Sequence, residues 1–273
     1  MAENILMNRP IGIFDSGVGG LTVVAEVLKI LPAENIVYFG DVGRYPYGGR
    51  SKETIINFTR QDINFLLEHH VKFIIAACNT ASAVALETVK EEYDIDFLGV
   101  IEPGAKAAVN NTKNKRVGII GTRATIGSNS YARAIQEKDE DIKVFSLACP
   151  LLVPLAEEGY IDKEATRLIA ADYLKELIDV NIDTLVLGCT HYPLLKGVIG
   201  ETMGDNVQLI DSADATAQEL AALLSIKDLA RSSKEKPTHK FYVSDVPDKF
   251  SKVAELFLGR SIDNITRVDI TRY

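Results

Sequence analysis

Two stretches of the chain, FIIAACNTAS at 73 to 82 and TLVLGCTHYP at 184 to 193, share one layout. Each is an apolar run ending in a small residue, then a cysteine, then polar residues that include a threonine. Phe73, Ile74 and Ile75, like Leu185, Val186 and Leu187, have the unbroken apolar character of strands covered on both faces, as parallel α/β sheets require. Ala76, Ala77 and Gly188 let the chain turn closely beneath each cysteine. Cys78 and Cys189 are therefore expected just past the carboxyl ends of two strands, where open α/β sheets carry their chemistry.

Other segments repeat in the same register. KRVGIIGTRATIGS at 115 to 128 echoes RPIGIFDSGVGG, with Arg116 standing 107 positions after Arg9. KVFSLACP at 143 to 150 echoes IVYFGDV at about that offset, and Cys189 follows Cys78 by 111. With 273 residues and about 150 per domain as a guide, two domains are expected. The fold class read from this is α/β: two pseudo-twofold-related domains with mostly parallel sheets. Residues 1–98 plus 207–273 are expected in the first domain and 99–206 in the second.

The elements follow from pattern and turn chemistry. A loose leader of eight residues precedes the strand RPIGIF, the helix LTVVAEVLKIL and the strand IVYFG. DVGRYPYGGR at 41 to 50 is dense in glycine, proline and tyrosine, hence a loop. Ser51 can cap the next helix, whose Ile55, Ile56, Ile63, Leu66 and Leu67 follow helical spacing. FLGVIEPG at 97 to 104 reads as a strand ending in a turn. Beyond 206 come the strand VQLID, a helix through Leu220, Leu223 and Leu224, and a lysine- and serine-rich loop at 227 to 237. KFYVSDV, a helix with Phe250, Val253, Ala254 and Phe257, and a last strand near 265 to 270 complete the chain.

The net charge of −8 and pI near 5.2 argue against a nucleic-acid or anionic-membrane partner. They do not bear on a small anionic substrate, because a local field can oppose the global sign. MAENILMNRP lacks the basic start and apolar run of a signal peptide, and no apolar stretch approaches the ~18–20 residues of a membrane span. Three cysteines, an odd number, do not form a disulfide framework, which points to a reducing, cytoplasmic setting.

DSGVGG at 15 to 20 invites a nucleotide reading but has Thr22 at the third glycine position and no GK[ST] ending. It is read instead as a tight strand-to-helix turn exposing Asp15 and Ser16, whose backbone N–H groups could hold a carboxylate. A free cysteine is ordinarily a small core residue, and Cys149, accompanied only by Pro150, is read so. Cys78 with Asn79 and Thr80, and Cys189 with Thr190 and His191, sit at helix starts, where the dipole lowers a thiol pKa. A C-x-H pair is a weak metal signature, a cysteine hydrolase leaves one thiol unexplained, and a redox dithiol wants its cysteines adjacent. His69 and His70 are expected solvated at a helix end, and His239 opens a strand. Glu157 and Glu158 fit a solvated pair, and Tyr47 a loop packing residue. Two equivalent thiols suit inversion of a stereocentre, which needs one acid–base group on each face of a carbon.

The motifs DSGVGGL, YFGD with RYPYG, AACNTAS, GTRAT, ACPLLVPLAEEG and LVLGCTHYPLL, in that order over roughly residues 9 to 213, resemble the motif set of the glutamate racemases. The resemblance implies a pyridoxal-independent racemase with neither cofactor nor metal, making D-glutamate for peptidoglycan, with the active site in the cleft between two α/β domains. Carried onto matching positions, Cys78 would deprotonate the D isomer and Cys189 the L isomer. Asp15 and His191 would assist the thiols and touch the substrate, with Glu157 a further helper. Ser16, Asn79, Thr80 and Thr190, with Tyr47 and Gly48, would bind the charged groups of the amino acid. Glutamate is the expected partner of a monomer or homodimer, with no nucleic acid and no membrane. Some family members carry an N-terminal extension tied to control by a cell-wall precursor; only eight residues precede the first strand here, so that control is not expected. Two alternatives stay open: an aspartate racemase of the same layout, and a two-lobed amino-acid-binding protein without chemistry.

Overall fold

Both cysteine-terminated runs are strands with a parallel partner on each side. Phe73–Ala76 (β3) lies between Ile11–Asp15 (β1) and Phe97–Gly99 (β4). Thr184–Gly188 (β7) lies between Arg116–Gly121 (β5) and Gln208–Asp211 (β8). Every residue of β1, β3 and β7 is buried, as continuous apolar runs predict. The computed structural model describes residues 6–262 and 264–273.

With Ile36–Gly40 (β2), Lys143–Ala148 (β6), His239–Val243 (β9) and Ile265–Arg267 (β10), the strands form two sheets, β10-β9-β2-β1-β3-β4 and β6-β5-β7-β8. The run β2-β1-β3-β4 has the same order as β6-β5-β7-β8, so the duplication read from the sequence is present in the topology. β9 and β10 extend only the first sheet, β9 pairing with β2 and β10 with β9, as the expected return of the C-terminal segment.

Helices cover the sheets with the faces their spacing dictates. Leu21–Ile30 and Ser212–Ile226 bury Val23, Val24 and Val27 with Ala217, Leu220 and Leu224 on one face of the first sheet. Lys52–Glu68 buries Ile55, Ile63 and Leu66 on the other, and its N-terminus is capped by Ser51, whose Oγ accepts from the Thr54 N–H at 3.3 Å. Phe250, Ala254 and Phe257 of the helix Pro247–Leu258 join the first core.

Four expectations need correction or restriction. β8 pairs with β7, so 208–211 belong to the second sheet and the return to the first begins with Ser212–Ile226 rather than at 207. VQLID is the fourth strand of the second unit, the counterpart of β4. FLGVIEPG is strand only through Gly99; Ile101–Asn111 is a helix that holds Pro103 in its first turn, where a missing N–H costs no hydrogen bond. His69 is half-buried and packs on Phe65 and Tyr242, with ring centroids at 4.8 and 4.7 Å, instead of being solvated. Of the expected leader, residues 1–5 lie outside the described residues, and Leu6 and Met7 are helical.

Candidate active site

The carboxyl ends of β1 and β3 face those of β5 and β7 across a cavity of about 410 Å³, in the size range of small-molecule sites. Cys78 and Cys189 both line it, each following its strand and each 5% exposed. Ser16, Tyr47, Gly48, Asn79, Thr80, Glu157, Thr190 and His191 line it too. Asp15 is the exception among the expected residues. As the last residue of β1 it is fully buried beneath the cavity, because the DSGVGG turn folds over it rather than exposing it.

The glycines of that turn have a steric task. A Cβ on Gly19 would come within 2.3 Å of Thr190 Oγ1 and 2.7 Å of the His191 ring, and one on Gly20 within 2.5 Å of Asp15 Cβ. The turn is glycine-rich because the first lobe passes directly against the Cys189 side. Thr22 Oγ1, which broke the nucleotide fingerprint, donates to the Thr190 carbonyl across that contact at 3.2 Å.

The two thiols have different neighbours. Cys78 caps the helix Asn79–Val84; its Sγ accepts from the Ala81 N–H at 3.5 Å and donates to Ser16 Oγ at 3.4 Å. Burial pushes this thiol up to about 12, and the Asp15 carboxylate adds to the shift against the opposing Ser16 and Ala81 contacts. The expected lowering by the helix start is therefore overridden: a six-residue helix supplies one weak donor, and desolvation of the thiolate is the larger effect.

Cys189 Sγ lies 3.8 Å from His191 Nδ1, and His191 Nε2 lies 2.9 Å from Glu157 Oε1. Burial alone would lower the imidazole pKa, but hydrogen bonds to Cys189 and Glu157, with their charges, hold it up at about 10. Glu157 thus leaves the solvated pair expected of it; Glu158 is exposed, while Glu157 turns inward from the helix Leu152–Glu157. Asp15 is also raised, by burial first, with His191 and the Gly17 and Gly20 N–H groups opposing.

Several polar atoms of the expected binders are committed and others are open. The Asn79 carbonyl oxygen accepts from Tyr131 at 2.7 Å, leaving its buried Nδ2 without a partner; Asp15 Oδ2 is likewise unpartnered. Thr80 Oγ1 is 3.0 Å from Thr122 Oγ1 and 3.3 Å from Thr125 Oγ1, and the latter two are 3.0 Å apart, so three hydroxyls join the lobes at the cavity. The Tyr47 hydroxyl points away to Asp41 and Asp62, leaving only the backbone near Tyr47 and Gly48 to meet a ligand. Cys149 is a core residue as read: burial raises it to about 12, and its carbonyl accepts from Tyr192.

Sequence reasoning missed Tyr45, Thr122 and Arg123 on the cavity wall. Tyr45 stacks on His191 with centroids 6.1 Å apart; burial raises its hydroxyl pKa, with Glu157 and Cys189 adding to the shift. The internal repeat carried a signal for Thr122, which stands 107 positions after Asp15, just past the end of the matching strand. Nothing in the spacing of RYPYG distinguished Tyr45 from a packing residue.

The family model for Asp/Glu/Hydantoin racemase matches residues 28–220. A glutamate racemase of Neisseria meningitidis is 51% identical over 98% of this chain and 99% of its own length. One from Geobacter metallireducens is 49% identical over 96% and 97%. The crystal structure of glutamate racemase from Francisella tularensis subsp. tularensis in complex with D-glutamate superposes with a TM-score of 0.92 at 42% identity, covering 98% of this chain and all of that one.

Proposed function

The chain belongs to the Asp/Glu/Hydantoin racemase family, and from that premise we propose that it interconverts L- and D-glutamate with Cys78 and Cys189 as its two bases. Glutamate as substrate is supported by relatives of about 50% identity that match end to end and by the likeness to an enzyme solved with D-glutamate. The observation that carries the mechanism is the cavity shared by two thiols that end corresponding strands of opposed lobes.

From D-glutamate, the Cys78 thiolate removes the Cα proton, the C–H electron pair remains on Cα as a carbanion, and the Cys189 thiol delivers its proton to the opposite face. The reverse direction exchanges the roles. Cys78 must first lose its own proton to solvent, and the α-ammonium group of bound substrate favours the resulting thiolate against burial and the Asp15 charge. His191, protonated at neutral pH, donates toward Cys189 Sγ, and Glu157 fixes its ring from Nε2. Asn79 Nδ2, Ser16, Thr80 and Thr190, with the backbone at Tyr47 and Gly48, receive the two carboxylates.

The same proposal places the enzyme in the cytoplasm, where three free cysteines stay reduced, supplying D-glutamate for peptidoglycan as a monomer or homodimer. The first lobe comprises 6–98 with 212–273, and the second 99–211. No helix among the described residues is long and apolar enough to cross a membrane. Circular dichroism of L- and D-glutamate and of L- and D-aspartate, incubated with enzyme and no added cofactor, tests the reading. Glutamate should lose its optical activity from either enantiomer. Aspartate turning over as well as glutamate would overturn the substrate, and loss with a chelator reversed by zinc would overturn the cofactor-free chemistry.

A further inference from the structure

Tyr45, Pro46, Tyr47, Gly48 and Gly49 form five consecutive residues of the cavity wall, and behind them lies a buried polar group that the proton transfers do not use. Asp41, at the end of β2, and Asp62, in the helix Lys52–Glu68, are both fully buried. The Tyr47 oxygen is within hydrogen-bond reach of Asp41 Oδ2 and, at 2.9 Å, of Asp62 Oδ2. Arg44 Nε donates to Asp41 Oδ2 at 2.6 Å and its NH2 donates to Asp62 Oδ1 at 3.0 Å; its NH1 donates to Gln61 Oε1.

The hydrogens do not balance if both carboxyls are ionised. A phenol has one hydrogen and an ionised carboxylate has none. One of the two contacts at the Tyr47 oxygen would then set acceptor against acceptor, away from water. One guanidinium also neutralises only one of two buried charges. A single added proton resolves both faults. Asp41 gathers both its donors, from Arg44 and Tyr47, on Oδ2, while its Oδ1 has no partner among the described residues. Asp62 Oδ2 meets only the Tyr47 oxygen, so the proton belongs there and donates to it.

We propose that Asp62 is a positioning residue that enters this network as the neutral acid and, through Tyr47 and Arg44, holds the 45–49 wall of the substrate cavity in place. The chain of donors runs from Asp62 Oδ2–H to the Tyr47 oxygen and from the Tyr47 O–H to ionised Asp41. Arg44 closes the ring from the other side, its guanidinium lying 4.1 Å from the centre of the Phe58 ring. The charged and titratable groups facing Asp62 agree with this assignment. Burial first, then the Asp41 charge, raise it well above the usual carboxylate range, with Asp15 adding at greater distance and Arg44 and Tyr47 opposing. Asp62 itself does not line the cavity, so it acts on substrate only through the loop.

The activity arm of the test rests on the racemase reading; its infrared arm does not. In Asp62→Asn the amide can donate to Tyr47 and its carbonyl can accept from Arg44, so kcat/KM for glutamate should stay within about threefold of wild type. Asp62→Leu fills the space but leaves Tyr47 and Arg44 unpartnered; KM should rise about tenfold or more, with a smaller fall in kcat. An ionised Asp62 predicts the opposite grouping, with Asn as damaging as Leu. The infrared difference spectrum of wild type against Asp62→Asn at neutral pH should show the carbonyl band of one protonated carboxyl. Should the leucine variant not fold, the asparagine and infrared arms still decide. A wild type unable to racemise glutamate defeats the functional reading alone, whereas no carboxyl band, or Asn falling with Leu, overturns this assignment.

Discussion

Cys78 and Cys189 close equivalent strands of equivalent sheets, yet one thiol is surrounded by a hydroxyl, an amide and a buried carboxylate, and the other by an imidazolium held by glutamate. Gene duplication can copy a backbone without copying the charges around it. The two faces of a stereocentre offer mirror-related protons, but an L-amino-acid chain cannot make a mirror-image site. Two corresponding positions with unlike neighbours is the arrangement that remains. The neighbours differ in charge as well: the Cys189 side has the imidazole of His191 within reach, whereas the charged neighbour of Cys78 is the Asp15 carboxylate.

The largest effect that would break this comparison comes from removing either thiol. Cys78→Ser and Cys189→Ser should each lower racemisation in both directions by about 10²–10⁴-fold. Each variant keeps one base. Given a glutamate analogue with a leaving group on Cβ, each should still eliminate it, Cys78→Ser from one enantiomer and Cys189→Ser from the other. A single variant racemising at the wild-type rate would leave no need for two bases.

A smaller effect should sharpen the comparison. Asp15→Asn should slow proton removal from D-glutamate more than from L-glutamate, and His191→Asn the reverse, by about tenfold on the affected step. Enantiomers have equal free energies in solution, so the ratio of overall efficiencies cannot record this; primary deuterium isotope effects in each direction can. Equal changes in both directions would show that the helpers are shared. The contact of the DSGVGG turn with His191 makes that the outcome to watch for.

The pH dependence of stability offers a third probe. His191 is raised from an ordinary 6.5 to about 10, so its protonation favours the folded state. The stabilisation is present in full below the unfolded value and is lost as pH rises through about 10. Each unit of separation corresponds to about 1.4 kcal/mol. Urea midpoints measured across this window should fall less steeply for His191→Asn than for wild type. Identical slopes would mean that the ring is not protonated in the fold.

The smallest effect is expected from the third thiol. Cys149→Ala should leave racemisation within about twofold and cost about 1 kcal/mol of stability, as loss of a small buried group does. A large loss of activity would show that the cavity depends on more than its two facing cysteines.

Much of this could be read from the chain because the chain states it twice. β1, β3, β5 and β7 are short, continuous and mostly apolar runs that fit burial on both faces, so their ends, and the cysteines after β3 and β7, were legible. β8 was harder: VQLID is short and half exposed, and only its pairing with β7 shows which sheet owns it. The site's electrostatics were not legible, because they come from contacts between residues far apart in the chain and from burial. Glu157 and His191 are 34 positions apart, and neither neighbourhood reveals that one faces the other. Helix-start reasoning misjudged Cys78 for a related cause: local sequence reports the donor at Ala81 but not the depth of burial or the Asp15 charge behind it. Tyr47 and Asp62 show the same limit, since their shared proton follows from counting hydrogens in three dimensions.

The chain passes between the lobes twice, once from β4 into Ile101–Asn111 and once from β8 into Ser212–Ile226. Near the crossings, the Val100 N–H donates to Ser82 Oγ at 3.3 Å and Ser212 Oγ donates to the Leu187 carbonyl at 3.3 Å. Two such attachments act like the two hinges of a door. They resist sliding and separation of the lobes, which would stretch both. A rotation about the line that joins them would have to part the Thr80 contacts with Thr122 and Thr125 and the Thr22 contact with Thr190. Groups near that line keep their distances as the door swings, whereas those far from it travel. Such a rotation would disturb side-chain contacts between the lobes but no strand pairing, since each sheet belongs to one lobe.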